Sequence, residues 1–381
     1  MAFETPCLLA TILSLAATHR KVAGLDQSDN QLAHLRSTSL KQFRMALSKL
    51  EGAPGDAIMA TALTLCLSEI VAGGNKPDSW RLHLEGAATL FSQAFDSGCV
   101  KPGAANESKS SAFIWRWFIS FVALTNFCGK PSLSSGSRIA LRFVRMVQDN
   151  YIDDFTGYST KLIPIFAEIG LLVMERQSSE TVINAGVSHI SHTAGISDLM
   201  RERCNRLIEE IQSMIHTDTG KFREGLEEII SPKFRCDYIA LNQAYHHAAL
   251  LHLYHRVLEL PSSSQVIQTS VKQIITCISA MALLREPCPG IALLLPLFSA
   301  GCEVIDIVDR TRVTELLGVM DQYYNVRNVR RSMEFLQDLW MHRDIEGDLY
   351  GYLRWDKLLG LYLPLCRTNK PCNGPLRSMA N

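Results

Sequence analysis

Histidine is the side chain most able to do chemistry near neutral pH, and here it is crowded. Tyr245-His246-His247 and His252-Leu253-Tyr254-His255 share one short stretch, and His189 and His192 form a further pair at the same three-residue spacing. Rings three apart fall on one face of a helix, where they could hold a metal. Zinc, however, needs three or four converging ligands, usually in a pattern such as H-E-x-x-H. That pattern is absent and the pairs are far apart, so these histidines read as packed or surface side chains and no metal ligand is assigned. The eleven cysteines, at 7, 66, 99, 128, 204, 236, 277, 288, 302, 366 and 372, contain no C-x-x-C and are odd in number. Most lie in apolar helical stretches such as Leu65-Cys66-Leu67, where a thiol packs as a small hydrophobe. They suggest a reducing compartment rather than a disulfide framework.

Asp149, Asp153 and Asp154, in DNYIDDF, are the other candidates. Paired carboxylates could hold magnesium on a diphosphate, and the segment faintly resembles the aspartate-rich motif of the helical class I terpene synthases. Phe155, Thr156 and Gly157 stand where that motif wants a further acid, and its Asn-Ser-Glu partner is missing. Acids capping a helix N-terminus are the plainer reading. No Walker loop, G-x-G-x-x-G, G-x-S-x-G elbow or EF-hand loop occurs. No catalytic, cofactor-binding or metal-binding residue is therefore assigned, no cofactor is expected, and the chain is read as a non-enzyme.

The elements that carry these residues are helices. Thr5-Pro6 puts proline at a first helical position, where its missing N–H costs nothing. The spacing of Leu32, Leu35, Leu40, Phe43, Leu47 and Leu50 predicts a helix near 31–50 with one buried stripe. Further helices are expected near 57–71, from an Asp78 cap through Phe95, and near 160–177 and 187–216, while the aromatic segment Phe113 to Phe121 is read as core packing. The series continues near 236–260, 265–284, 311–324 and 326–341. Alternating strand patterns are almost absent and no fixed repeat is visible. The fold class is thus an all-α, irregular multi-helix domain without a regular repeat. Residues 1–381 are expected to form a single unit, with a loop break at 98–137 and a disordered tail at 367–381.

Composition narrows the function. Lys plus Arg and Asp plus Glu both count 38, so net charge is zero, and the densest basic stretches, Arg201 to Arg206 and Arg327 to Arg331, are interrupted. A polyanion partner would want a basic excess or stripe. Direct DNA binding by this chain alone is not expected. The longest apolar run, Gly290 to Gly301, is interrupted by Pro296 and too short for the roughly 20 residues of a membrane span. Cys7 to Ala17 is preceded by Glu4 rather than by the basic residues of a signal peptide.

Five segments, taken in order, are similar to successive landmarks of the fungal-specific transcription factor domain, the regulatory region behind six-cysteine zinc-cluster modules. They are Pro6 to His19; Trp80 to Leu90, with a W-x-x-H-x-x-G-A pattern at Trp80, His83, Gly86 and Ala87; Ile152 to Ser159; Tyr245 to Pro261; and Leu295 to Trp340. Each is an apolar helical segment and weak alone, whereas the ordered set covers nearly all of residues 6 to 360. The zinc cluster itself, C-x2-C-x6-C, does not occur in these 381 residues. The resemblance implies a nuclear transcription regulator that senses a small-molecule effector or a partner protein, controls metabolic genes and works with other regulators or by self-association. The small side chains of Gly86, Ala87 and Ala88 fit that resemblance, because they are expected to permit close helix approach. The alternatives are an all-helical enzyme acting on a hydrophobic metabolite, with Asp149 to Asp154 at its mouth, and a helical interaction scaffold. One local pairing is also expected: Asp306 and Arg310, four apart, should form an ion pair.

Overall fold

In the computed structural model the residues described are 1–72, 79–98, 108–128, 150–184, 197–217, 220–223, 227–228, 230–282, 289–346 and 355. They form twelve α-helices: α1 (Pro6–Val22), α2 (Asp29–Ser48), α3 (Asp56–Val71), α4 (Ser79–Asp96), α5 (Lys109–Cys128) and α6 (Leu162–Asn184) in the first half. The second half holds α7 (Asp198–Thr217), α8 (Pro232–His252), α9 (Gln265–Ser279), α10 (Leu294–Glu303), α11 (Ile307–Tyr324) and α12 (Arg327–Glu346). Among the described residues there is no strand, only isolated bridges from Ile152 to Ser159 and to Phe222. The all-α expectation holds. His189 and His192, Asp78 and Asp149, and the expected tail at 367–381 lie outside the described residues, as do 99–107 and 129–137 of the expected loop break, whose described middle is helix α5.

Local chemistry sets the helix ends. Pro6 opens α1, and Pro232 opens α8 behind Ser231, whose hydroxyl accepts the Phe234 N–H. Asp306 caps α11 by accepting the N–H groups of Val308 at 2.8 Å and Asp309 at 3.2 Å. That use of its carboxylate overturns the expected pair with Arg310. A capping oxygen is held over the first turn, while Arg310 points across to α12 and grips both oxygens of Asp344 at 2.9 and 2.8 Å. Asn325 ends α11 in the left-handed region, a conformation that Asn tolerates well among non-glycine residues.

α1 packs on α2 and α3, α3 on α4, and α5 on α6. On the other side α8 meets α7 and α9, and α10 lies against α8, α9 and α12. One apolar cluster runs from Leu8 to Trp355. Its aromatic centre is Phe91 on α4, stacked on Phe118 at 4.0 Å and edge-on to Trp115 at 4.8 Å, so the aromatic run expected around 113–121 packs the core. Ala87 and Ala88 are buried there as expected of small contact residues. Gly86 is not: it is exposed and a Cβ built on it would meet nothing within 4 Å, so it takes no part in close helix approach. Gly301 does. Its Cβ would fall 2.6 Å from Leu336 Cδ1, and its carbonyl accepts the Trp340 indole N–H at 2.9 Å, which is how α10 and α12 come so close.

Candidate functional site

The helix that carries the crowded histidines does not finish as an α-helix. After His252 the backbone widens into a π turn, Leu253–Val257, in which the Leu258 N–H bonds the Leu253 carbonyl at 3.0 Å, five residues back. Glu259 then stops the helix in the left-handed region (φ 54°), where a non-glycine residue is uncommon. Its carboxylate is held by Arg176 of α6, with Nε at 3.1 Å. Such π turns recur at functional sites because they re-aim side chains within a helix. Here His252, His255 and Arg256 are all directed into the interior and buried.

A fully buried guanidinium demands compensation. Arg256 donates to the carbonyl of Phe127, in the last turn of α5, where helical carbonyls lack partners within their own helix and carry partial negative charge. Its Nη1 also lies 3.2 Å from His252 Nδ1. The opposite nitrogen of that ring, Nε2, is 2.9 Å from Ser299 Oγ on α10, and the Phe127 ring stacks on it at 4.0 Å. Both His252 nitrogens are thereby used for structure, and neither is left for a metal.

Glu303, the last residue of α10, is the second buried charge. Ser262 Oγ donates to its Oε2 at 2.6 Å and the indole of Trp355 donates to its Oε1 at 2.7 Å. His255 Nδ1 lies 3.3 Å from the same Oε1, close enough for attraction but out of hydrogen-bond alignment, and among the described residues neither ring nitrogen of His255 has a hydrogen-bond partner. Gln268 of α9 bridges the Ser262 and Glu303 carbonyls at 2.6 and 2.9 Å. Trp355 completes the cluster: it is edge-on to His252 and Phe298 at 5.5 and 5.9 Å, and the Arg256 guanidinium lies 5.7 Å from its ring. A cation, an anion, two imidazoles and an indole thus occupy one closed volume at the junction of α5, α8, α9 and α10.

The other histidines of the stretch are structural too. His246 Nδ1 lies 2.7 Å from the Asn242 carbonyl one turn back. Burial, and secondarily the neighbouring His246, pull the pKa of His247 down to about 4. Among the described residues no group of three or more His, Cys, Asp or Glu could hold a metal. Burial pushes the Cys66 thiol well above its ordinary range and the Cys204 thiol up to about 11, so neither is a ready nucleophile.

The acidic segment turns out differently from either reading of it. Asp153 caps no helix, since α6 begins only at Leu162. It instead closes a tight turn, with Oδ1 accepting the N–H groups of Phe155 at 2.9 Å and Thr156 at 3.0 Å. Arg116 of α5 binds its other oxygen. Asp154 lies 3.6 Å from Arg116 and 3.7 Å from Arg223, and its carbonyl accepts the Tyr238 hydroxyl at 2.8 Å. Asp153, matched by an arginine and backbone N–H groups, and Asp154, within ion-pair distance of two arginines, tie α5, the turn and α8 together rather than opening onto a metal basin.

A shallow surface groove of about 480 Å³ runs between α11 and α12, with the Arg310–Asp344 pair in its wall beside Ile307, Trp340, Met341 and Ile345. Sequence reasoning did not single out Arg256, Glu303 or Trp355. The available signal was a charge inside an apolar helical run: Arg256 within YHHAALLHLYHRVLEL, and Glu303 directly after LLLPLFSAGC.

The profile of the family described as fungal specific transcription factor domain matches residues 1–366. The chain belongs to that family. The five segments that resemble the family fall on α1, on α4, on the Asp153 turn, on α8 with its π turn, and on α10 to α12. Sterol uptake control protein 2 of Candida albicans is a relative at 33% identity over 103 residues, covering 24% of this chain and 14% of that protein. The match thus spans a small part of either protein. No solved structure matches the chain. The residues that knit the buried cluster, His252, Arg256, Ser299 and Glu303, lie in two of those segments, and no described helix is long and apolar enough to cross a membrane.

Proposed function

We propose that this chain is the regulatory region of a nuclear, zinc-cluster-type transcription regulator, working as one unit over residues 1–381. It senses a small-molecule effector or a partner protein and passes that state to a promoter-bound complex, through other regulators or self-association. Family membership over residues 1–366 is the observation that carries this reading. The printed name of the Candida albicans relative, control of sterol uptake, supports metabolic genes as the targets. Zero net charge argues that DNA contact is left to other modules, because specific binding needs clustered cations against phosphate. The enzyme reading loses its main support with the arginine-bound Asp153 and Asp154.

The test is a fusion of the whole chain behind an unrelated DNA-binding domain. Reporter output should change, and the isolated protein should bind duplex DNA no more tightly than about 10⁻⁴–10⁻⁶ M at physiological salt. A folded, nuclear fusion that stays silent across varied metabolite conditions would count against regulation. Sequence-selective gel shifts at nanomolar protein would overturn the division of labour with DNA-binding modules.

A further inference from the structure

Trp355 sits in the cluster as a ligand sits in a site. Its indole is buried, its N–H meets the fully buried Glu303 carboxylate at 2.7 Å, and Phe298, His252 and Arg256 surround the ring. The other polar groups around it come from the last turn of α5, from α8 and its π turn, from α9, from α10 and from the Ser262 segment, whereas Trp355 comes from beyond α12. It also leaves the site chemically under-filled. His255 is 2% exposed and both of its ring nitrogens lack a hydrogen-bond partner among the described residues, although Nδ1 is 3.3 Å from the very oxygen that accepts the indole. A buried, unmet imidazole aimed at the carboxylate that holds the indole points to an occupant with one polar group more than indole carries.

We propose that Trp355 is an exchangeable internal ligand, and that the pocket formed by His252, His255, Arg256, Phe298 and Glu303 takes a planar heteroaromatic molecule bearing a ring N–H. The N–H replaces that of Trp355 on Glu303, and a second polar group on the ring meets His255. The face of the ring takes up the cation–π contact with Arg256. Occupation of the pocket displaces the Trp355 indole from Glu303, which gives a sensing domain an output. The inference deepens the effector-sensing reading and rests on it for its biological meaning, but the pocket chemistry can be tested apart from transcription.

Indole and benzofuran are the probes, since they share a shape and differ in the N–H. In full-length protein carrying Trp355→Gly, indole should bind saturably by calorimetry and raise Tm, with benzofuran at least about 10-fold weaker for want of a hydrogen bond to a charged group. Adding Glu303→Gln should erase that preference. In the wild-type chain labelled with 5-fluorotryptophan, the Trp355 fluorine resonance, assigned by its loss in Trp355→Phe, should shift on indole titration as the side chain leaves the pocket. Equal binding of the two probes, or none to a folded variant, would overturn the proposal. So would a Trp355 resonance unmoved by indole, an arm that does not depend on the glycine variant folding. A silent reporter fusion with intact probe exchange would sink the regulatory role and leave the pocket standing. A responsive fusion without exchange would do the reverse.

Discussion

The N-terminal pair α1–α2 and the junction of α8 with α10 are both helix contacts, yet they are held together in opposite ways. Only Leu32 and Ser39 of α2 are buried, and α2 meets α1 through a hydroxyl pair, Thr11 with Ser39 at 2.7 Å, and through the longer reach of Arg36 to Thr18 at 3.5 Å. Leu13, Leu40 and Met45 stay exposed on these helices. At the α8–α10 junction whole charges are buried, and each is matched by neutral donors and acceptors from other segments. The first arrangement tolerates change because its buried partners are neutral hydroxyls, so losing one strands no charge. In the second, a lost partner leaves a charge stranded in a low-dielectric interior.

The sharpest way to break this comparison is to delete one charge. Glu303→Ala should cost about 3–5 kcal/mol, since it strands the donors of Ser262 and Trp355 beside a buried cation. Ser39→Ala, which removes an equally buried partner from the α1–α2 contact, should cost only about 1 kcal/mol, because Thr11 still donates to the Cys7 carbonyl. Urea unfolding measures both, and equal losses would erase the distinction. The next largest effect is pH dependence from α8. His247 has a folded pKa of about 4 against an ordinary 6.5, so between these values the unfolded chain binds the proton and the folded one does not. The stability it contributes is full above pH 6.5 and is lost as pH falls toward 4, up to about 3 kcal/mol by linkage. His247→Gln should flatten that slope, and an unchanged slope in denaturation curves would remove His247 as its source.

Two glycines sharpen the comparison at smaller scale. Gly301→Ala drives a methyl into Leu336 and should cost about 1–3 kcal/mol by overpacking, read as a lower denaturation midpoint. Gly86→Ala, on an open face of α4, should gain about 0.5–1 kcal/mol from helix propensity. If both substitutions moved stability in one direction, the assignment of Gly301 as the close-approach residue would fail.

Helix identity and order were legible along the chain, and so was the family. Pro6 and the apolar spacings act over one or two turns, so a linear reading finds them, whereas α8 starts at Pro232, four residues before its expected start. Helix α12 ran further than expected, to Glu346, because Trp340 and Asp344 are held by α10 and α11 and not by their own neighbours. The Asp306–Arg310 expectation failed for a related reason: four-residue spacing permits a pair, but the cap of α11 and the reach to Asp344 were both better uses of those side chains.

What the sequence alone determined is therefore whatever short-range sterics and helical periodicity encode: an all-α chain, the order of its helices, and a set of landmarks specific enough to name the family. What only the tertiary structure decided is which buried charges are matched, and by whom. Arg256 finds the Phe127 carbonyl across 129 residues, and Trp355 finds Glu303 across 52. No local spacing specifies such partners, because each charge is paired only after several helices have closed around it and excluded water. The physical pressure that selects them, the cost of an unmatched charge in a dry interior, does not exist until the fold does.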